Sequence, residues 1–219
     1  MSEEPKGAIL QRDKKTYAIV PRIPMGVLTP EMLEILAKTA RKYNIRIIKI
    51  TSGQRIALVG LNPEDVEKVW KDLEMEVGPA EGLCVHYVQA CPGTETCKFG
   101  RGDSLGLAAK IEKMYVGKEN FIPAKTKFGI SGCMLNCAES YLRDFGAFCA
   151  PDGWTVVVGG NSGGRPRIGD VIAKKLSEEQ VLELISKCLD YYAKNAKSRE
   201  RMPRFIERVG AEEFKKAVL

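Results

Sequence analysis

The chain has 219 residues, of which 44% are hydrophobic and 28% charged, so its composition is ordinary and it can bury one core or two small ones. Its net charge of +6 suits an anionic partner, but aromatic residues make up only 7% and no basic tail is present, which argues against nucleic acid. No apolar run approaches the roughly 18 residues of a membrane span, and the polar, acidic N-terminus predicts neither a signal nor a transit peptide. Seven cysteines, an odd number, predict a reducing cytoplasm.

The first 78 residues predict an α+β domain. After a loose, polar lead-in over residues 1–15, Thr29-Pro30 and Asn62-Pro63 each have the pattern of a helix N-cap followed by the first helical residue. Residues 52–54 predict a tight turn between two strands. The predicted elements are a strand over 16–22, a helix over 30–43, strands over 46–51 and 55–60, and a helix over 63–73. This order is the start of a ferredoxin-like unit.

The second domain is predicted over residues 79–219, after a joint at Gly78-Pro79 and Gly82. Strands over 84–89 and 127–130 each lead into a pair of cysteines, and a short helix is expected after the second pair. A glycine-rich loop over 159–164 follows a predicted hairpin. The other predicted elements are a helix capped by Asp103 that runs to about residue 115, the hairpin over 145–158, a helix over 178–197 that begins with a capping box at Ser177 and Gln180, and short helices over 203–208 and 212–217.

Four cysteines form two tight pairs, Cys91 with Cys97 and Cys133 with Cys137. Four thiolates that converge from two loops suit a [4Fe–4S] cluster. Structural zinc is an alternative, although its usual Cys-x(2–4)-Cys spacing fits only the second pair. Two disulfides are a third alternative, which the expected reducing compartment disfavours. Spacing alone leaves these alternatives open.

The remaining cysteines fall outside this pattern. Cys84 and Cys188 lie in apolar predicted elements, so we expect buried thiols there. Cys149 has no assigned role. Arg101-Gly102-Asp103 is interpreted as the entry to a helix.

The cysteine pairs and their flanking residues resemble the sirohaem–[4Fe–4S] sulfite and nitrite reductases. The matching motifs are Val-Gln-Ala-Cys-Pro-Gly-Thr over 88–94, Gly-Cys-Met-Leu-Asn-Cys over 132–137, Pro-x-Lys-x-Lys over 123–127 and the arginine of Pro-Arg-Ile-Pro over 21–24. The resemblance spans about residues 16–210. In length the chain is similar to the small, single-repeat sulfite reductases. The resemblance implies a ferredoxin-like half-domain followed by a domain that binds sirohaem and the cluster.

This resemblance implies six-electron reduction of sulfite to sulfide, or of nitrite to ammonia. The cluster ligands would be Cys91, Cys97, Cys133 and Cys137, with Cys137 also bridging to the sirohaem iron. Arg22, Lys125 and Lys127 would bind substrate oxygens and deliver protons. His86 stands where the family has a further arginine and is a candidate for the same role. A lone histidine beside a strand is more often a packed residue. Without the flanking cysteine segments, a solvated strand edge is the preferred interpretation of the two lysines.

Sirohaem carries several carboxylates, so its site needs cations and backbone N–H groups. The predicted cofactor-binding residues are Asn136, Cys137, Arg55, Gly160, Asn161, Arg165 and Arg167. Arg55 is included because Gly53 occupies the position of a family arginine. The glycine-rich loop is equally compatible with a flexible hairpin end, and Arg143 with a surface helix residue.

No dinucleotide-binding fingerprint is present in this sequence, so electrons are expected from a ferredoxin-like donor that docks its acidic surface on a basic face. A single repeat that carries both ligand sets suggests a two-fold homodimer with shared sites. In that arrangement the four cluster cysteines of one subunit would face Arg22, Lys125 and Lys127 of its mate. The alternatives are an Fe–S electron carrier without sirohaem and, third, a zinc-stabilised binding module.

Overall fold

The computed structural model of the chain describes residues 5–79, 82–118 and 121–219. The chain divides into two compact units, with the division between residues 80 and 81. The first four residues of the predicted lead-in and two residues of the predicted joint, Ala80 and Glu81, lie outside the described residues.

The first unit has a four-stranded antiparallel sheet with strand order β1-β2-β4-β3. Its strands are β1 (Ala8–Leu10), β2 (Tyr17–Ile19), β3 (Ile47–Ile50) and β4 (Ile56–Leu61), and its helices are α1 (Pro30–Lys42) and α2 (Val66–Leu73). The predicted order of strand, helix, two strands and helix is confirmed. The prediction of a loose lead-in is wrong for residues 8–10, because Ala8 pairs with Ile19 and extends the sheet. β1 has only three residues, which is too short for an alternation of buried and exposed side chains to reveal a strand in the sequence.

The helices of the first unit begin where the sequence places them. The side chain of Thr29 accepts the N–H of Met32 at 3.3 Å, and Pro30 occupies the first helical position. The second predicted helix opens as a 3-10 turn over Pro63–Asp65 before α2. Leu33 of α1 is 49% exposed. The core is formed by Ile19, Leu36, Leu58, Leu61, Val66, Val69 and Leu73.

The second unit has a five-stranded mixed sheet with strand order β5-β6-β7-β8-β9. The first three strands are parallel, and β7, β8 and β9 are antiparallel to one another in turn. The strands are β5 (Val85–Ala90), β6 (Thr126–Ser131), β7 (Phe145–Ala150), β8 (Gly153–Val158) and β9 (Asp170–Leu176); the helices are α3 (Ser104–Tyr115), α4 (Glu178–Asn195), α5 (Met202–Val209) and α6 (Ala211–Val218). β9 is not predicted from the sequence, because its last residues are mostly exposed and charged.

The two faces of this second sheet differ in what covers them. On one face Phe128 stacks with Tyr115 of α3 at a ring-centroid distance of 6.5 Å. Side chains alternate along a strand, so Lys127 and, in β5, Gln89 lie on the opposite face. Residues 132–144, which connect β6 to β7, run along that opposite face, where Arg143 contacts Gln89. We call residues 132–144 the crossover segment.

Every helix within the described parts of the chain is too short or too polar to cross a membrane.

Candidate active site

Both cysteine pairs begin at the same edge of the second sheet. Cys91 follows β5 directly, and Cys133 lies two residues after β6. Because β5 and β6 are parallel neighbours, their carboxyl ends meet at one edge. The N–H of Cys91 donates to the carbonyl of Ile130 at 3.2 Å, which extends the pairing up to the first cysteine. Topology therefore brings the two cysteine segments together, as the sequence predicts.

The two segments pack tightly through glycine. A Cβ on Gly132 would lie 2.5 Å from the Cα of Gly93, so a side chain cannot be accommodated there. The N–H of Gly132 donates to the Sγ of Cys91 at 3.1 Å, and its carbonyl accepts the N–H groups of Arg101 and Gly102 at 2.8 and 3.0 Å. A backbone donor aimed at a cysteine sulfur stabilises the thiolate form that a cluster ligand needs.

The four candidate ligands differ in their exposure to solvent. Cys91 and Cys133 are each 9% exposed, Cys97 is half-buried and Cys137 is exposed. No disulfide joins any of the seven cysteines, all of which the structure describes. The two-disulfide alternative is therefore not observed.

A single metal ion requires ligands gathered within about 2.3 Å of one centre. Within residues 5–79, 82–118 and 121–219, no three His, Cys, Asp or Glu side chains are grouped in that way. A four-iron cluster spreads its four cysteine ligands around a larger inorganic core. The absence of such a group among the described residues therefore concerns mononuclear sites, such as structural zinc, and not a four-iron cluster.

Asn136 shapes the segment between Cys133 and Cys137. Its φ of 59° is left-handed, which asparagine tolerates better than most residues. Its Oδ1 accepts the N–H of Ser140 at 2.8 Å and the hydroxyl of Ser131 at 3.3 Å. The short helix predicted after Cys137 is a single 3-10 turn over Ser140–Leu142. Met134 and Leu135, to which no sequence motif assigns a role, are 63% and 65% exposed beside the cysteines.

Of the two predicted substrate lysines, Lys125 immediately precedes β6 and Lys127 is its second residue. Lys125 and Lys127 are both half-buried and alternate with buried Ala124 and Thr126, so they share one side of the chain. The Nζ of Lys127 lies 5.8 Å from the centre of the Tyr87 ring. β6 has neighbours on both sides in the sheet, but its pairing with β7 begins at Phe128 and Lys125 precedes the strand, so the strand-edge alternative for these lysines stays open.

Asp144 supports the backbone at Lys127. Its Oδ2 accepts the N–H of Lys127 at 2.9 Å, and Nη2 of Arg201 donates to Oδ1 and Oδ2 at 2.8 and 2.6 Å. Asp144 is 1% exposed, and burial raises the pKa of its carboxyl, while Arg201 and the Lys127 N–H oppose that shift. No local motif in the sequence singles out Asp144 or Arg201.

Arg143 is buried, so its interpretation as a surface helix residue is wrong. It is 3% exposed. Its Nε and Nη2 donate to the Oε1 of Gln89 at 3.1 and 2.7 Å, and its Nη1 donates to the hydroxyl of Ser162 at 3.1 Å. Nη2 also forms an ion pair with Glu139. One guanidinium thus contacts three separate segments around the cysteines.

The glycine-rich loop connects β8 to β9 and is held by hydrogen bonds. A Cβ on Gly160 would lie 2.2 Å from the carbonyl oxygen of Tyr141, so only glycine allows this approach to the crossover segment. Asn161 and Arg167 exchange backbone hydrogen bonds at 2.9 Å each, and the side-chain amide of Asn161 donates to the carbonyl of Arg165 at 2.8 Å. These bonds make the loop a defined turn.

The two arginines of this loop face different surroundings. Arg167 Nη1 donates to the carbonyl of Gly159 at 2.9 Å, and its Nη2 donates to Asp170 at 2.5 Å, so it braces the loop. The side chain of Arg165 is 62% exposed and lies 3.4 Å from Glu207. A cavity of about 330 Å³ beside the loop is lined by Asn161, Gly164, Arg165, Arg201, Pro203, Arg204 and Glu207.

His86 is 1% exposed in β5. Its Nε2–H donates to the carbonyl of Gly82 at 3.1 Å. Such burial agrees with the alternative that His86 is a packed residue. The catalytic role of His86 stays a prediction.

Arg22 and Arg55 both belong to the first unit. Arg22 forms an ion pair with Glu76, and its N–H donates to the Glu76 carbonyl at 2.9 Å. The Nη1 of Arg55 donates to the carbonyl of Pro79 at 2.7 Å. Their assignment to substrate and cofactor stays a prediction.

The three other cysteines lie in the interior. Cys84, Cys149 and Cys188 are 5%, 7% and 0% exposed, which confirms the expectation for Cys84 and Cys188. Burial raises the pKa of the Cys188 thiol, and it raises that of Cys149 against the opposing effect of Arg101. High thiol pKa values favour the inert, protonated form.

Two family models cover most of the chain. The model described as the nitrite/sulfite reductase ferredoxin-like half domain matches residues 9–76, and that of the nitrite and sulphite reductase 4Fe-4S domain matches residues 81–219. The chain belongs to the nitrite and sulfite reductase family. The family's 4Fe-4S domain contains both cysteine pairs, so an iron–sulfur cluster is its metal group. A family of this kind acts on an anionic substrate and takes electrons from a donor.

Curated relatives show the same family in proteins of different length. The chain is 57% identical over 219 residues to "Sulfite reductase, assimilatory-type" of Nitratidesulfovibrio vulgaris, covering 100% of both chains. It is 41% identical to "Nitrite reductase [NAD(P)H]" of Bacillus subtilis, with 93% of this chain and 25% of that protein covered. It is 33% identical to "Nitrite reductase (NADH) large subunit" of Escherichia coli, with 97% of this chain and 25% of that protein covered.

Solved structures share the fold of this reductase-family chain. A crystal structure of dissimilatory sulfite reductase I superposes with a TM-score of 0.80 at 14% identity, covering 93% of this chain and 69% of that one. The structure of the Mycobacterium tuberculosis NirA protein superposes with a TM-score of 0.79 at 18% identity, covering 93% of this chain and 39% of that one. These similarities support the α+β fold class predicted from the sequence.

Proposed function

We propose that this reductase catalyses the six-electron reduction of sulfite to sulfide, with nitrite to ammonia as the second candidate. The observation that carries the proposal is the 57% identity, over the full length of both chains, to a protein named an assimilatory-type sulfite reductase. The proteins named nitrite reductases match at lower identity, and the Bacillus subtilis and Escherichia coli ones are about four times longer than the matched segment. Sulfite is therefore the first substrate to test.

Cys91, Cys97, Cys133 and Cys137 are the proposed ligands of the [4Fe–4S] cluster. Their support is the adjacency of the two segments and the N–H of Gly132 directed at the sulfur of Cys91. Cys137, the most exposed of the four, is the proposed thiolate shared with sirohaem. Its exposure leaves the sulfur accessible to a second iron.

Sirohaem is the proposed second cofactor, and it would supply the iron at which the substrate is reduced. The exposed apolar side chains of Met134 and Leu135 beside Cys137 suit the flat face of a macrocycle. Arg165 and the backbone at Gly160 and Asn161 are the proposed partners of its carboxylates, with Asn136, Arg55 and Arg167 as further candidates. Since Arg167 is engaged within the loop, its proposed part is to hold the loop that presents Arg165.

Lys125 and Lys127 are the proposed substrate-binding cations. Sulfite and nitrite are anions whose oxygens leave as water, so the site must neutralise negative charge and donate protons. Lys127 lies on the same sheet face as Gln89, which Arg143 of the crossover segment contacts. The lysines and the Cys137 segment thereby share one face of the second unit. Arg22 and His86 are further candidates for binding the anion.

The spectrum of the anaerobically purified protein tests this proposal. The protein is produced in a host that makes sirohaem, and iron and acid-labile sulfide are measured on the same sample. A Soret band with a red-region band, and about four irons per chain beyond the haem iron, supports the proposal. Sulfite and nitrite reduction by a reduced dye then ranks the two substrates by kcat/KM. A brown protein with broad absorbance and no Soret band would instead identify an Fe–S electron carrier.

The electron donor and the oligomeric state are also proposals. We propose a separate ferredoxin-like donor, a reducing cytoplasmic location, and a two-fold homodimer whose cysteine and lysine sites are shared between subunits. Because Lys127 and the crossover segment lie on one face of the second unit, a site built within one chain is the alternative that a direct test must separate from the dimer. Light scattering coupled to chromatography, followed by assay of the peak, provides it. A fully active monomer would overturn the shared site.

A further inference from the structure

We propose that Arg143 is a positioning residue that holds the two cysteine segments and the glycine-rich loop in one arrangement. Its guanidinium contacts Gln89, Glu139 and Ser162. Gln89 lies two residues before Cys91, and Glu139 lies two residues after Cys137. The inference about cofactor chemistry rests on the proposed function, but the contacts are between protein groups alone.

The guanidinium is well matched to this task. Arginine has five N–H donors in a rigid, planar fork, and Arg143 forms four hydrogen bonds with its three partners. Nε and Nη2 both donate to the Oε1 of Gln89, which fixes the plane of the fork relative to β5. Nη1 then points to Ser162 in the glycine-rich loop. Lysine carries the same charge but cannot reproduce this geometry.

The burial of Arg143 makes these contacts consequential. The side chain is 2% exposed, whereas its ionic partner Glu139 is 49% exposed. A buried charge that loses its partners is costly, so the three segments are favoured in the arrangement that satisfies the guanidinium. The backbone of Arg143 adds to this constraint, because its carbonyl lies 2.7 Å from where a Cβ on Gly160 would be.

A second consequence concerns the cluster. The reduction potential of a cluster depends on the charges and hydrogen bonds around it. A buried cation favours the more negatively charged, reduced form, and Arg143 contacts Gln89 and Glu139, which lie two residues from Cys91 and Cys137. Removing its charge is therefore expected to lower the midpoint potential of the cluster, whereas lysine keeps the potential closer to that of the parent.

Hydrogen–deuterium exchange on the full-length chain, in metal-free and cofactor-loaded forms, tests the positioning role. Four variants are compared with the parent: Arg143→Met, Arg143→Lys, Ser162→Ala and Lys187→Met. Arg143→Met should accelerate exchange about tenfold or more in peptides that cover 87–97, 132–141 and 159–164 together. Ser162→Ala should affect only the third peptide. Lys187→Met, which removes an exposed charge paired with Glu183 on α4, should change none of them.

The loaded form supplies the second readout, the midpoint potential of the cluster followed by electron paramagnetic resonance. The expected order of potentials is parent, then Arg143→Lys, then Arg143→Met at the lowest value. If Arg143→Met does not fold, Arg143→Lys and Ser162→Ala decide the case, since each removes only part of the contact set. Hydrogen–deuterium exchange in the three segments should then be faster in Arg143→Lys than in the parent.

Two results would overturn the proposal. One is faster exchange confined to peptides that contain residue 143 itself. The other is an equal acceleration in α3 and α4, which would indicate general destabilisation. If the parent protein has a cluster but no sirohaem, the proposed function fails while the exchange pattern still reports on Arg143, so the two failures are distinguishable.

Discussion

The carboxylate of Asp144 accepts the backbone N–H of Lys127 at 2.9 Å. The same carboxylate is bound by Arg201, which lines the cavity beside the glycine-rich loop. Asp144 also accepts the N–H of Gly159 through its own carbonyl at 2.8 Å. One buried residue therefore links the start of β6, where the proposed substrate lysine lies, to the glycine-rich loop and to the residue that precedes α5.

Asp144→Asn tests this link with little change in volume. The amide retains an acceptor for Lys127 but leaves the guanidinium of Arg201, which is 32% exposed, without its counter-charge. We expect the free energy of unfolding to fall by about 2 kcal/mol, less than the cost of breaking a fully buried pair because water partly solvates Arg201. Urea denaturation of the variant and of Asp190→Asn, an exposed aspartate on α4, measures the effect. Equal stability of the two variants would mean that the Asp144 pair contributes little.

Lys127→Met should weaken catalysis without unfolding the protein. The side chain is half-buried, so methionine can follow the path of its aliphatic stem. Loss of a cation at the proposed anion site should lower kcat/KM for sulfite about 100-fold, a typical cost of removing a group that stabilises developing charge. Lys127→Arg, which keeps the charge, should recover part of this activity. Lys194→Met, an exposed lysine on α4, is the control and should retain the parent value.

Cys137→Ser tests the ligand set by metal content. If Cys137 is a ligand, the anaerobically purified variant should contain less iron and sulfide than the parent and should lose its cluster faster to a chelator. Cys188→Ala is the matched control, since that thiol is buried in α4 and has a raised pKa. The control should keep its iron while losing about 1 kcal/mol of stability. Loss of iron from the control, or full iron in Cys137→Ser, would contradict the assignment.

Much of the fold follows from local signals in the sequence. Thr29-Pro30 and Ser177 with Gln180 mark helix starts, and the structure has α1 and α4 beginning at those points. The cysteine spacing, with strands before each pair, predicted two loops that meet at one site. These features depend on residues within a few positions of each other, so periodicity and capping chemistry reveal them.

The supporting residues depend on contacts that the sequence does not display. Asp144 and Arg201 are 57 residues apart, and Arg143 and Gln89 are 54 residues apart. The contact of Arg143 with Gln89 depends on the strand order of the second sheet, and that of Asp144 with Arg201 depends on how the segment before α5 packs. Arg143 is followed in the sequence by Asp144, and charged residues are usually exposed. The burial of both side chains is a property of the tertiary structure.

Glu200 gives a pH dependence of stability. Hydrogen bonds from Arg208 at 2.8 and 2.7 Å, together with the N–H of Lys197, lower the pKa of Glu200 to about 2. A lowered folded-state pKa contributes stability that is fully present above the unfolded value near 4.3 and is lost as the pH falls towards about 2. The partly solvated pair should contribute about 1 kcal/mol.

Urea midpoints measured across that acidic window check this pH dependence. Glu200→Gln should lower stability at neutral pH and flatten the decline between about pH 4.3 and about pH 2. The control is Glu183→Gln, which alters an exposed pair with Lys187 on α4. If Glu200→Gln followed the parent curve at every pH, the carboxylate would have no such role.

Gly160→Ala and Gly164→Ala form a matched pair within the glycine-rich loop. A Cβ at position 160 would lie 2.2 Å from the Tyr141 carbonyl, whereas a Cβ at position 164 has nothing within 4 Å. Backbone must therefore move in the first variant, and overpacking of this kind costs about 1–3 kcal/mol. Gly164→Ala should be neutral within about 0.5 kcal/mol.

The two glycine variants also separate loop geometry from loop flexibility. If the loop must lie against the crossover segment to bind a cofactor, Gly160→Ala should lower cofactor content per chain while Gly164→Ala retains it. Unfolding curves and the ratio of cofactor to protein absorbance are measured on both proteins. Equal cofactor loss in both variants would mean that chain flexibility, and not the approach of Gly160 to Tyr141, is what the loop needs.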